Sequence, residues 1–129
     1  MNTEMLNLNQ NAMDRRGGKF SGYISNADPM VLDDSTATIY TLDCSKTNYF
    51  KVVMYSDSTI EIINVPSGSY TFIIEIANGG AFTITWPGSM QFSAGFTPTL
   101  SLSGTDIMVL NTSDQGNTFK GTVSIKDAK

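Results

Sequence analysis

The chain predicts an all-β fold, a single antiparallel β-sandwich or jelly-roll-like domain of about eight strands with an extended N-terminal arm. Three observations carry this. Apolar and polar residues alternate with a period of two through most of residues 38–126, as in Tyr70, Phe72, Ile74 and Ile76. Charged residues make up only 16% of the chain, while Thr, Ser, Asn and Gly are abundant, which suits a sheet protein with many turns. The alternating runs are short and are punctuated by turn clusters such as "ANGG" and "SDQGN".

Residues 1–36 have little sustained periodicity and are rich in Asn, Asp, Gly and Ser, so they read as an arm for anchoring or subunit exchange. Met5, Leu6 and Leu8 suit a short helical turn, and Phe20, Tyr23 and Ile24 suit strand addition to a neighbouring sheet. Residues 37–129 form the head, with strands expected at 38–43, 49–55, 59–65, 70–77, 81–86, 99–102, 106–111 and 118–126. Segments 70–77 and 81–86 read as one hairpin turned by Asn78, Gly79 and Gly80, the glycines supplying the positive φ of a tight turn. Its core face would carry Phe72, Ile74, Phe82, Ile84 and Trp86, and Pro87 would end the ladder. The last strand places Phe119, Val123 and Ile125 on one side and polar residues on the other, the pattern of a surface strand. No fixed period of 20–50 residues is visible, which argues against a solenoid.

A length of 129 residues suits one domain. The net charge of -4 opposes binding to nucleic acid or to an anionic membrane surface. Cys44 is the one cysteine, so no internal disulfide or thiolate cluster forms, and no signal peptide or long apolar span is visible. The expectation is a soluble protein made in a cytoplasm.

Catalytic and metal motifs are absent from the pattern. Without histidine there is no Ser-His-Asp or Cys-His pair, and Cys44 beside Lys46 lacks a catalytic context. Asp33, Asp34 and Ser35 fit no EF-hand spacing and read as a solvated loop, with a hard cation as the alternative. Asp106 and Asp114 are the one candidate carboxylate pair for a glycan hydrolase, though both sit where Asp serves turns. Neither Gly17-Gly18 nor Gly79-Gly80 has the strand-loop-helix frame of a phosphate cradle. No catalytic, cofactor or metal residue is therefore assigned. The cluster Arg15, Arg16 and Lys19 stands out from the acidic background, either as a solvated loop or as a docking element for carboxylates of a larger assembly.

The stretches "YTLDCSKTNYFKVVMYSDSTIEIINVP" and "SYTFIIEIANGGAFTITWPGSMQFSAGFTPTLSLSGTDIMVLNTSDQGNTFKGTV" resemble the β-rich domain of tailed-phage fibre and virion-surface proteins. The similarity runs in order through Leu42-Asp43, Asn48 to Val52, Tyr70 to Pro87, Gly95 to Leu100, Gly104 to Leu110 and Asp114 to Gly116. Phe92 departs from it, standing where many relatives have a second tryptophan, and "GTVSIKDAK" extends past the usual ending. The resemblance implies a non-enzymatic, commonly trimeric surface structure. An arm of 36 residues spans at most roughly 120 Å, too short for a fibre shaft. The expected function is thus a capsid decoration or cement protein on the virion exterior. It would be a homotrimer held to the major capsid protein or another virion protein by Arg15, Arg16, Lys19, Phe20 and Tyr23. The alternative is a short tail-fibre or receptor-binding head that contacts host glycans.

Overall fold

The computed structural model describes residues 27–129. Nine strands follow one another: β1 (Met30–Leu32), β2 (Ile39–Asp43), β3 (Tyr49–Val53), β4 (Ser58–Ile63), β5 (Tyr70–Ala77), β6 (Ile84–Thr85), β7 (Met90–Phe92), β8 (Thr105–Thr112) and β9 (Phe119–Ile125). They form a six-stranded sheet in the order β1-β3-β5-β8-β9-β7 and a three-stranded sheet in the order β2-β4-β6. The fold is all-β, as the period of two requires.

The pairing differs from the antiparallel sandwich that the sequence suggests. From β1 to β6 the chain alternates between the two sheets, and each strand pairs in parallel with the strand two places on: β1 with β3, β3 with β5, β2 with β4 and β4 with β6. Parallel neighbours need a long crossover, and here the strand of the facing sheet supplies it. The result is a short parallel coil, so the expectation that no solenoid-like winding occurs is also corrected. Met30 pairs with Phe50 and Phe50 with Ile74, while Ile39 pairs with Thr59 and Ser58 with Ile84. These offsets lengthen from turn to turn, and no constant period marks the coil in the sequence. Antiparallel pairing begins only where β8 returns beside β5 and β9 beside β8, and β7 then pairs in parallel with β9.

The expected hairpin therefore does not form. β5 pairs with β3 and β8, whereas β6 lies in the other sheet beside β4. Asn78, at φ 62° and ψ 25°, is the left-handed residue that redirects the chain, followed by a 3-10 turn at Gly79–Ala81. The glycines serve a different purpose from the one expected. A β-carbon on Gly80 would lie 2.1 Å from the Leu100 carbonyl oxygen, and the Gly80 amide donates to the Ser101 carbonyl at 2.9 Å. Gly80 admits a second stretch of backbone and Gly79 the side chains of Leu100 and Ile76, and neither has a positive φ. That stretch, expected as a strand at 99–102, belongs to neither sheet.

β1 lies inside the segment read as an arm, paired with β3. Where β9 passes Ile107 and Met108 of β8 the register shifts, setting Val123 opposite Met108 but Ile125 opposite Ile107, so Ile125 leaves the inner face and is 49% exposed.

The core lies between the sheets around Phe72, whose ring meets Phe50 and Phe119 edge-on at 5.7 and 5.9 Å and stacks with Tyr70 at 5.6 Å. Leu42, Ile60, Ile74, Ile76, Met108 and Leu110 complete it. Each such side chain contributes about 1.5–3 kcal/mol by leaving water. Two buried phenols satisfy their polar ends on backbone: Tyr40 donates to Val53 at 2.8 Å and Tyr70 to Thr47 at 2.7 Å.

Candidate functional site

The unequal sheets determine where the surface opens. Three strands cannot cover six, and residues 86–104, a stretch that holds no strand except β7, form a roof beside β8 and β9: Ser101 bonds to Asp106 of β8, and Met90 and Phe92 stand against Gly121 of β9. Two clefts of about 640 and 490 Å³ run along this roof and share Ile84, Trp86 and Thr97. The residues assigned to the hairpin face consequently divide. Phe72 and Ile74 are fully buried, whereas Phe82, Ile84 and Trp86 are half-buried along the clefts, with the half-buried Pro87 following. Trp86 meets Phe92 edge-on at 5.7 Å with the ring planes 72° apart. Phe96 and Leu102, in the same roof, are 76% and 71% exposed.

Asp106 fixes the roof in place. It is completely buried and accepts hydrogen bonds from the Ser101 amide at 2.6 Å, the Ser101 hydroxyl at 2.7 Å and the Asp127 amide at 2.8 Å. Burial pushes its carboxyl up, but these bonds, led by the Ser101 amide, outweigh it and hold the group below the ordinary carboxylate range. Asp114 is a turn residue: it accepts from the Thr118 amide at 2.9 Å and the Thr112 hydroxyl at 2.8 Å, and these bonds lower its pKa. Asp106 and Thr112 are at opposite ends of β8, separated by about 20 Å of strand, so Asp106 and Asp114 do not converge on a glycosidic bond.

The other candidate groups also have local duties. Burial pushes the Cys44 thiol up to about 11, away from the thiolate a nucleophile needs. Asp34 accepts from the Thr36 amide and hydroxyl at 2.9 and 2.8 Å, and Asp33 accepts from the Tyr55 hydroxyl at 2.6 Å. Among the described residues no three His, Cys, Asp or Glu side chains gather in a metal-binding group, and no helix is long and apolar enough to cross a membrane.

A second surface lies at the first turn of the coil. β1 is an outer strand of the large sheet and β2 of the small one, so both leave a row of backbone groups without a strand partner among the described residues. Val31 on β1 and Ile39 on β2 are 62% and 54% exposed. Asp33 and Asp34 lie at this end, and with burial their charges raise the pKa of Tyr40. Reading the sequence missed this surface in part, since Val31 falls in the expected arm and Ile39 in a strand, 38–43, that was not expected at an open edge. The docking candidates Arg15, Arg16, Lys19, Phe20 and Tyr23 lie outside the described residues. Comparison of the chain with protein-family models, with curated proteins and with solved structures returned no match.

Proposed function

We propose that the chain is a non-enzymatic structural protein of a phage particle, a decoration or cement protein that docks on the capsid exterior and assembles as a homotrimer. The phage assignment rests on the resemblance of residues 37–125 to virion-surface domains. The observation that carries docking is the pair of open sheet edges, β1 and β2, at the first turn of the coil. Exposed edges accept another chain by strand addition, with main-chain bonds giving affinity and alternate side chains giving register. Residues 1–26 precede β1 in the sequence, so an anchor among them would act together with the open edges. The test adds three proteins to undecorated capsids: the full chain, the chain trimmed of residues 1–26, and a Val31→Pro variant that interrupts the edge. Binding of many full-length copies per shell, reduced in both altered proteins, is the expected result. Copies confined to the tail would replace cement with a fibre head, and equal binding by all three proteins would remove the anchor and the edge from the reading.

A further inference from the structure

We infer that the cleft beside Trp86 is a binding site for a neutral saccharide. The inference is independent of capsid docking, because the cleft is built from the roof beside β8 and β9 and the proposed docking edge from β1 and β2. At about 640 Å³ it falls within the roughly 300–1,000 Å³ usual for ligand clefts. Two aromatic rings, Trp86 and Phe92, form its apolar wall at 72° to one another. The Trp86 indole N–H, the Gln91 amide and the Thr97 hydroxyl have no hydrogen-bond partner among the described residues, although all three residues line the cleft. A pyranose ring offers the complement, an apolar C–H face for the electron-rich ring and equatorial hydroxyls for amide, hydroxyl and indole groups.

Charge and backbone chemistry decide against other occupants. No Asp, Glu, Lys or Arg lines this cleft or its neighbour, in a chain whose net charge is -4, so an anionic sugar would find no cation. An added peptide strand needs continuous backbone donors along one wall. β6 is only two residues long and is followed by Pro87, and β7, the outer strand of the large sheet that lines this cleft, is only three residues long, while Gly95 and Thr97 belong to no strand, so no wall offers a long ladder. Asp106 and the close contact at Gly80 fix Ser101 and Leu100, beside the neighbouring cleft that shares Ile84, Trp86 and Thr97 with this one.

Trp86 is the single tryptophan of the chain and reports on its own site. The full chain is first exposed to immobilised neutral oligosaccharides of glucose, galactose, mannose and N-acetylglucosamine, with sialylated and sulfated counterparts alongside. Those that bind are then titrated in solution against Trp86 emission. A neutral saccharide should shift that emission saturably, and Trp86→Ala, which lacks the reporter and is read on the immobilised sugar, should weaken binding by about tenfold or more. Gln91→Ala and Thr97→Ala alter exposed positions that the fold does not need, and each should weaken binding by about two- to tenfold. The inference is overturned if no neutral saccharide moves Trp86 emission, if charged glycans are preferred, or if emission changes with protein concentration alone, which would put a second copy in the cleft. A shift with an alternating Val-Thr peptide and with no sugar overturns it too. Capsid binding by Gln91→Ala, expected at the level of the unaltered chain, keeps failure here separate from failure of the docking reading.

Discussion

A β-carbon placed on Gly80 would stand 2.1 Å from the carbonyl oxygen of Leu100, far inside van der Waals contact. The obstacle is backbone, which cannot rotate aside as a side chain can. The same backbone carries the bond from the Gly80 amide to Ser101 and the buried side chain of Leu100. Gly80→Ala must therefore push the Leu100–Ser101 backbone off the Gly79–Ala81 turn.

The expected cost of Gly80→Ala is at least about 2 kcal/mol, the range of an overpacked interior. Urea denaturation measures it. Gly88→Ala is the control, since a β-carbon there meets nothing within 4 Å, and it should stay within about 0.5 kcal/mol of the parent. Equal stabilities would mean that the roof does not pack on the turn as described.

Asp106 predicts a loss of stability in acid. Its folded pKa is depressed, so its contribution is complete above the unfolded value of about 3.9 and is lost as pH falls through the folded value. Asp106→Asn keeps the shape but turns an amide donor toward groups that are themselves donors, at a cost of about 1–3 kcal/mol near neutral pH. Below about pH 4 the difference between the two proteins should shrink. Thermal melts across this range, compared between parent and variant, check both the size and the sign.

Strand positions were legible in the sequence because the alternation of side chains is local. Residues 70–77 coincide with β5, and 106–111 lie within β8. Partners were less legible. Alternation reports which face of a strand is apolar and carries nothing about whether its neighbour runs parallel, so Ile84 and Trp86 looked like the return arm of a hairpin when β6 belongs to the other sheet. The coil was hidden for a related reason, since its turns differ in length and share no motif. One wall of the cleft was foreseeable from Trp86, an aromatic at a strand end. The wall that Leu100 gives the neighbouring cleft was not, because its burial depends on two distant features, the absence of a side chain at Gly80 and the carboxylate of Asp106.

Alkaline titration distinguishes Tyr49 from the other tyrosines. Its hydroxyl donates to the Glu75 carboxylate, and that bond, with burial and the adjacent charge, pushes the phenol up to about 12. A raised folded pKa gives stability that is complete below the unfolded value of about 10 and is lost as pH climbs through about 12. Tyrosinate absorbance should show one fewer late-titrating group in Tyr49→Phe. An unchanged late phase would assign it to Tyr40 or Tyr55, both also raised.

Parallel winding of the coil can be tested by a covalent link. Thr41 and Glu61 are paired on β2 and β4, and the Thr41 hydroxyl donates to the Glu61 carboxylate at 3.1 Å across the outer face of the small sheet. Paired residues on neighbouring strands have α-carbons about 5 Å apart, within the span a disulfide accepts. The protein carrying Thr41→Cys and Glu61→Cys, with Cys44→Ala to remove the native thiol, should oxidise to a monomeric bridged form. Closing a loop of about 20 residues should stabilise that form by about 3 kcal/mol over its reduced state, less any strain in the bridge. A second pair, Thr41→Cys with Thr85→Cys, probes the same face with β4 lying between, and it should stay reduced within one chain. Bridging of the second pair and not the first would place β2 beside β6, which the order β2-β4-β6 forbids, and would return the chain to a different sandwich topology.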